Sequence, residues 1–350
     1  ARAEKRRQRA GLPHRLEYFH QIDDAYSHLA VQTLAPLVEK YGVELVPHLV
    51  HGPSGANLPE PDLLPNLARH DAALVAPHYG LHYPSTLPAP RPDLQIKAER
   101  ILAAVVSSPE IASAFPVAAL AVGEALLAGD KAALRDLAGT YGKVADTEAQ
   151  WVLDRGTARR AALGHFGSAM FHYGGQWYWG VDRLYHLERR FQHQGLGSGD
   201  LLFPRPEIDP GSYQDNGSLT LEFYASLRSP YTALIFDRAV ELAERSGVRM
   251  ALRPVLPMVM RGVQLSREKG FYIMSDAARE ARAMGMEFGR FYDPIGEPSR
   301  RCYSLFPWAE RQGKRTALMS AFLRAAFVRG CNTNRKQGLQ AVVEEAGLDW

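Results

Sequence analysis

Leu16-Glu17-Tyr18-Phe19, with Tyr26 and Gly42-Val43 after it, returns 205 residues later as Leu221-Glu222-Phe223-Tyr224, Tyr231 and Gly247-Val248. The correspondence runs without a gap from 16–84 onto 221–289, carrying Asp71-Ala72-Ala73 to Asp276-Ala277-Ala278 and Gly80 to Gly285. It resumes where Leu134 and Gly142 meet Leu339 and Gly347. A period of this length is far beyond the roughly 20–50 residues of a solenoid repeat. It reads as a duplicated domain, so each position of chemical interest can be read twice.

Each copy opens with a short apolar and aromatic strand, Leu16–His20 and Leu219–Ala225. The spacing then predicts helices over Ala25–Tyr41 and Pro230–Ser246. Asp24 and Ser229 precede them as N-cap types, and Pro230 suits a first helical position. Gly42 and Gly247 end the helices, and second strands follow at Val43–Leu49 and Val248–Val255. The middle of the first copy reads as helices at Ala98–Val106, Ala112–Ala128, Lys131–Thr140 and Asp146–Leu163. In the second copy the helices are Ser275–Met284, Trp308–Gly330 and Lys336–Ala346.

The first copy closes with strands Ser168–Tyr173 and Gln176–Trp179 around a Gly174-Gly175 turn, then a helix Asp182–Phe191. The domains are therefore expected at 13–192 and 218–350, with a Gly, Pro, Ser and Asp-rich linker at 193–217. By the offset, the closing strands of the second copy would begin past Trp350. Either the chain is incomplete or the second domain lacks part of its sheet. A sheet lacking two of four strands would bare an apolar face and raw edges, so an incomplete chain is the expectation.

Composition sets outer bounds. The 350 residues are 46% hydrophobic and 23% charged, with a formal net charge of +3, which is ordinary for a soluble globular protein and gives no nucleic-acid field. The basic start, Arg2 to Arg15, reads as a solvated, frayed terminus. No apolar run of membrane-spanning length and no signal-peptide pattern occurs, which makes a cytosolic protein the natural reading. The opening on Ala1 leaves a trimmed terminus open. Cys302 and Cys331 form no C-x-x-C, so dithiol exchange by the chain alone is unsupported.

Strand–helix–strand, a helical insertion, then strand–strand–helix describes an α/β thioredoxin-like fold with an inserted helical domain, here in two tandem copies. Ser229-Pro230-Tyr231-Thr232 after Leu221-Glu222-Phe223-Tyr224 resembles the opening of the DsbA-like family of 2-hydroxychromene-2-carboxylate isomerases and kappa-class glutathione transferases. Leu252-Arg253-Pro254, Lys269-Gly270, Tyr272 and Asp276 through Gly285 resemble it too. So does Trp177-Tyr178-Trp179-Gly180-Val181-Asp182-Arg183-Leu184, similar to the family's closing Trp-Gly-x-Asp-Arg-Leu.

The resemblance implies glutathione as cofactor. Its sulfur would be held by Ser229, with Tyr231 in the same motif and Asp182 and Arg183 near the γ-glutamyl end. The chemistry is sound without the family. A helix N-terminus offers free N–H groups and a positive dipole end, and a hydroxyl donor there favours a thiolate. Against this, Ser229 reads equally as a plain N-cap. Asp24, the first copy's counterpart, would repel a thiolate, so that copy is degenerate or repurposed for acid–base work. Ser168 stands where the resemblance implies a cis-proline. A cis bond before serine costs about 2.5–4 kcal/mol, so a trans bond is expected there.

All twelve histidines lie between His14 and His193. His20, with Asp23 and Asp24, is a candidate acid–base group. His48-x-x-His51 on a strand would direct its rings to opposite faces, and no metal is assigned. Trp177 and Trp179 read as packing residues and 51–57 as a plain loop.

The leading expectation is a glutathione-dependent isomerase or transferase, or a related thiol-oxidoreductase-family enzyme, acting on a small conjugated or electrophilic substrate at Ser229. One rival is a non-catalytic tandem scaffold binding a peptide or protein. The other is a His/Asp enzyme in the first domain. No nucleic-acid or membrane partner is expected, and a homo-oligomer stays open because the duplication can mimic a dimer.

Overall fold

The computed structural model describes residues 2–84, 89–207 and 211–350. The chain divides into two compact units, 1–207 and 208–350. In the first, α1 (Arg2–Arg9) precedes β1 (Arg15–His20), α2 (Ala25–Tyr41) and β2 (Glu44–Leu49). Five helices follow: α3 (Leu64–Val75), α4 (Pro92–Ser107), α5 (Phe115–Leu127), α6 (Lys131–Tyr141) and α7 (Asp146–Ala162). β3 (Met170–Tyr173), β4 (Gln176–Trp179) and α8 (Leu184–His193) close the unit.

Its sheet has the order β2-β1-β3-β4, with β1–β2 parallel and the other two pairings antiparallel. Gly174 and Gly175 both take positive φ in the β3–β4 turn, as a two-residue hairpin of this hand requires. Alternation along β1 sends Leu16 and Tyr18 into the main core with Leu29, Leu34, Phe115 and Phe171. Burying each such side chain contributes about 1.5–3 kcal/mol. On the other face Phe19 stacks on His48, with centroids 4.7 Å apart, and meets Trp177 at 5.2 Å. There α7 lies so close to β2 that a Cβ on Gly156 would sit 2.0 Å from the Leu49 carbonyl oxygen.

The second unit comprises β5 (Thr220–Ala225), α9 (Pro230–Ser246), β6 (Arg249–Pro254) and five further helices. These are α10 (Arg267–Ala283), α11 (Glu297–Ser304), α12 (Phe306–Arg311), α13 (Arg315–Arg324) and α14 (Lys336–Glu345). Its parallel β5–β6 pair is the one sheet among the described residues of this unit. The register equals that of β1–β2 shifted by 205: Leu16 faces Leu45, and Leu221 faces Met250. Phe236, Leu252, Phe306, Leu318, Phe322 and Val342 form its core.

Several elements differ from the sequence expectations for local reasons. The basic start is helical rather than frayed, and a Glu4–Arg7 ion pair one turn apart supports it. The expected helix 308–330 is split at Gly313, whose φ of +66° breaks it into α12 and α13, with a π turn over Ala325–Arg329. α10 begins eight residues before the expected Ser275, because Ser266 caps it through a hydrogen bond from the Lys269 N–H. Asp182 and Arg183 lie in a 3₁₀ turn ahead of α8, not inside the helix. Part of the stretch read as linker is anchored to the first unit. The Leu202 and Phe203 N–H groups donate to the buried Glu188 carboxylate at 2.7 and 2.8 Å, and the Tyr41 hydroxyl does so at 2.6 Å. Among the described residues no helix is long and apolar enough to cross a membrane.

Candidate functional site

In both units the candidate site lies where the first strand hands over to the first long helix. In the first unit Asp24 caps α2: its Oδ2 accepts from the Ser27 N–H at 2.9 Å and the Ser27 hydroxyl at 2.8 Å. The Ser168 hydroxyl donates to the same oxygen at 3.0 Å, so residues 144 positions apart meet directly. Ser27 is fully buried, and its Oγ also accepts from the N–H of Gln21 (3.2 Å) and of Ala169 (3.1 Å). Ala169 has φ +54°, the one non-glycine residue with positive φ among the described residues. Such a residue persists where its surroundings hold it. Here Arg160 donates to the Gly167 carbonyl and the Gly167 N–H donates to His165 Nδ1, both at 3.0 Å. The peptide bond before Ser168 is trans.

Burial drives the Asp24 carboxyl above the usual aspartate range, outweighing the donors from Ser27 and Ser168. Asp182 acts on the same neighbourhood. Burial raises the Tyr26 phenol, aided by its hydrogen bond to Asp71 (2.9 Å) and by the charges of Asp71, Asp24 and Asp182. Asp182 and Arg183 form an ion pair with each other.

His20 stands apart from the carboxylates it was expected to join. The Tyr18 hydroxyl donates to the Ser27 carbonyl at 3.0 Å, so the 3.1 Å contact between Tyr18 and His20 Nδ1 is donated by the imidazole. That leaves a neutral ring, 2% exposed, whose Nε2 has no partner among the described residues. Burial lowers its pKa to about 3, aided by the His28 charge. Asp23 accepts from Gln21 at 3.0 Å, and among the described residues no hydrogen bond joins His20 to Asp23 or Asp24. His48 and His51 also depart from the alternation argument, since β2 ends at Leu49 and His51 lies beyond it. His48 bonds Glu17 at 3.1 Å, and His51 bonds Asp154 of α7 at 2.9 Å. Glu17 also takes two hydrogen bonds from Arg159 of α7, at 2.7 and 2.8 Å.

In the second unit Ser229 caps α9 with φ −85° and ψ 118°, and its Oγ accepts from the Thr232 N–H at 3.2 Å. Its hydroxyl hydrogen has no acceptor among the described residues. Thr232 repeats Ser27: its Oγ1 accepts from the Ser226 N–H at 3.5 Å, as Ser27 Oγ does from Gln21. The Tyr26–Asp71 bond recurs as Tyr231–Asp276, also 2.9 Å, with Arg279 closing on the same carboxylate. Arg228, next to the cap, holds Asp293 through two bonds of 2.7 and 2.8 Å.

What differs is the neighbour. No described strand stands beside Ser229 and Thr232 as Ser168-Ala169 stands beside Asp24 and Ser27. Nor is a thiol of the chain bonded there. Cys302 is fully buried in α11, with burial pushing its thiol up, and Cys331 lies beyond the π turn.

Residues 220–350 match the DSBA-like thioredoxin domain. The match begins with β5, so the Ser229 cap, α9 and the Tyr231–Asp276 pair all belong to this DSBA-like region. A solved structure of selenomethionine-labelled 2-hydroxychromene-2-carboxylate isomerase (HCCA isomerase) is similar at 20% identity, over 52% of this chain and 96% of that one, with a TM-score of 0.40. No curated protein matches the chain.

The roles of Ser27 and Thr232 escaped the sequence reading, although a hydroxyl residue at both positions, 205 residues apart, was the available signal. Tyr303 escaped it as well. Its hydroxyl accepts from the Leu227 N–H at 3.1 Å and lies 2.9 Å from the Val255 carbonyl oxygen, bridging the ends of β5 and β6. Nothing in the local pattern marks it.

Proposed function

We propose that the chain is a glutathione-dependent isomerase or transferase, with a small conjugated or electrophilic substrate, working at Ser229 of the DSBA-like region. One observation carries the reading: at the N-cap of α9, where the resemblance implies the sulfur-binding serine, stands a hydroxyl whose hydrogen has no acceptor among the described residues. A bound thiol would supply the nucleophile the chain itself lacks there. Ser229 would donate to its sulfur, and the N-terminus of α9 would favour the thiolate through its dipole. Arg228 is neutralised by Asp293, and Tyr231 is engaged by Asp276, so both act as supports that fix the cap.

We further propose that the two units are tandem copies of one ancestral domain. The shared 205-residue offset in strand register, in the Tyr–Asp pair and in the Ser27/Thr232 hydroxyl supports this. On that reading the first copy is a disabled thiol site, because Ser168 and Ser27 saturate the Asp24 oxygen and a carboxylate repels sulfur.

The test is glutathione binding to the full chain by calorimetry, beside Ser229→Ala, Ser229→Thr and Asp24→Ser. A hydrogen bond to a charged sulfur is worth about 1.5–3 kcal/mol, so Ser229→Ala should weaken binding roughly 10- to 150-fold, with Thr restoring much of it. Binding unchanged in Ser229→Ala would sink the assignment.

A further inference from the structure

Between α4 and α6 of the first unit is a hollow of about 460 Å³ walled by five cationic side chains and no carboxylate. Lys97 and Arg100 come from α4, Lys131 and Arg135 from α6, and Lys143 from the segment after it. Ile101, Leu134 and Ala138 make an apolar floor, the first two buried. Arg100 is fixed from behind, its Nε donating to the Val144 carbonyl at 2.7 Å and its guanidinium pairing with Asp146 at 3.1 Å. Lys131 has a distant partner in Asp93, at 3.9 Å. Lys97, Arg135 and Lys143 have no ion pair among the described residues.

Five like charges around one concavity repel one another, and the chain as a whole carries a net charge of only +3. The concentration is also not a property of the shared fold. α4 and α11 begin 205 residues apart, as do α6 and α14. At the same offset the five cations become Cys302, Leu305, Lys336, Gln340 and Leu348, so one of five remains.

We propose that this hollow binds an organic phosphate: a small, multiply charged anion with an apolar body. The size falls within the roughly 300–1,000 Å³ of small-molecule sites. Lysines act as mobile point charges for phosphate oxygens while a fixed arginine orients them. The apolar floor covers the body of the ligand. The site is independent of Ser229 and stands whether or not the glutathione reading does.

ADP serves as the probe and adenosine as its uncharged control, titrated calorimetrically into the full chain at low salt. ADP should bind and adenosine should not. The triple variant Lys97→Gln/Arg135→Gln/Lys143→Gln, all exposed positions, should lose at least about tenfold in affinity, because several close ion contacts go at once. A matched loss of exposed charge elsewhere (Lys5→Gln/Arg9→Gln/Arg311→Gln) and Ser229→Ala should both leave ADP binding unchanged. Absence of ADP binding, equal binding of adenosine, or equal loss in the two triple variants would each overturn the proposal.

Discussion

Replacing Ser27 by alanine removes one oxygen on which the first unit's strand, helix and β3 approach all converge. Its Oγ accepts from the N–H groups of Gln21 and Ala169 and donates to Asp24, inside a fully buried site. Each buried group left without a partner costs about 1–3 kcal/mol. Gln21 is half-buried, so water can recover part of its loss, and the total should come to about 2–4 kcal/mol. Thr232→Ala, the same change 205 residues later, deletes an acceptor for a single 3.5 Å bond and should cost about 1 kcal/mol. The assay is urea unfolding of each variant, joined to hydrogen exchange resolved to the Gln21 and Ala169 amides. Two units make a single two-state fit unsafe, so the transition is assigned from peptides of residues 15–30 and 165–180. Ser27→Ala within about 0.5 kcal/mol of wild type, with both amides still protected, would refute the reasoning.

Three other outcomes are expected. Glu188→Ala should destabilise the first unit by about 3 kcal/mol, since Tyr41 and two backbone N–H groups lose their acceptor, and protease should then cut near Leu202-Phe203. Gly156→Ala should cost at least about 2 kcal/mol in thermal unfolding, because its Cβ must push α7 off the Leu49 carbonyl; a melting temperature equal to wild type would contradict that contact. Asp24 has a raised pKa when folded, so the folded state holds the proton more tightly than the unfolded chain. Its contribution is therefore fully present below the ordinary aspartate value of 3.8 and is lost as pH rises through the raised folded value. Asp24→Asn should gain stability relative to wild type across that rise, and parallel pH profiles of the two proteins would count against it.

The strand–helix–strand openings and the caps at Asp24 and Ser229 were legible in the sequence because they are local. Hydrophobic spacing, an N-cap residue and a terminal glycine each act within a few positions. α2 and α9 accordingly occupy the residues that spacing predicts. The break between α12 and α13 was not read from the sequence. The run 308–330 reads as one helix although Gly313 stands among Glu310, Arg311, Lys314 and Arg315, and the left-handed backbone at that glycine divides it.

The sequence also gave Asp24, Ser168 and His20 as candidates without saying how they meet, and only the tertiary structure decided that. Ser168 reaches Asp24 across 144 positions because β3 pairs with β1, and a pairing of that kind depends on sheet order, not on neighbouring residues. His20 hydrogen-bonds Tyr18, two residues before it on the same strand face, and no hydrogen bond to Asp24 occurs among the described residues. The five cations of the α4–α6 hollow are scattered through 47 positions, from Lys97 to Lys143, and become one site only when two helices pack side by side. Chemistry at a helix end is written in adjacent residues, whereas chemistry between elements exists only once packing has chosen the neighbours.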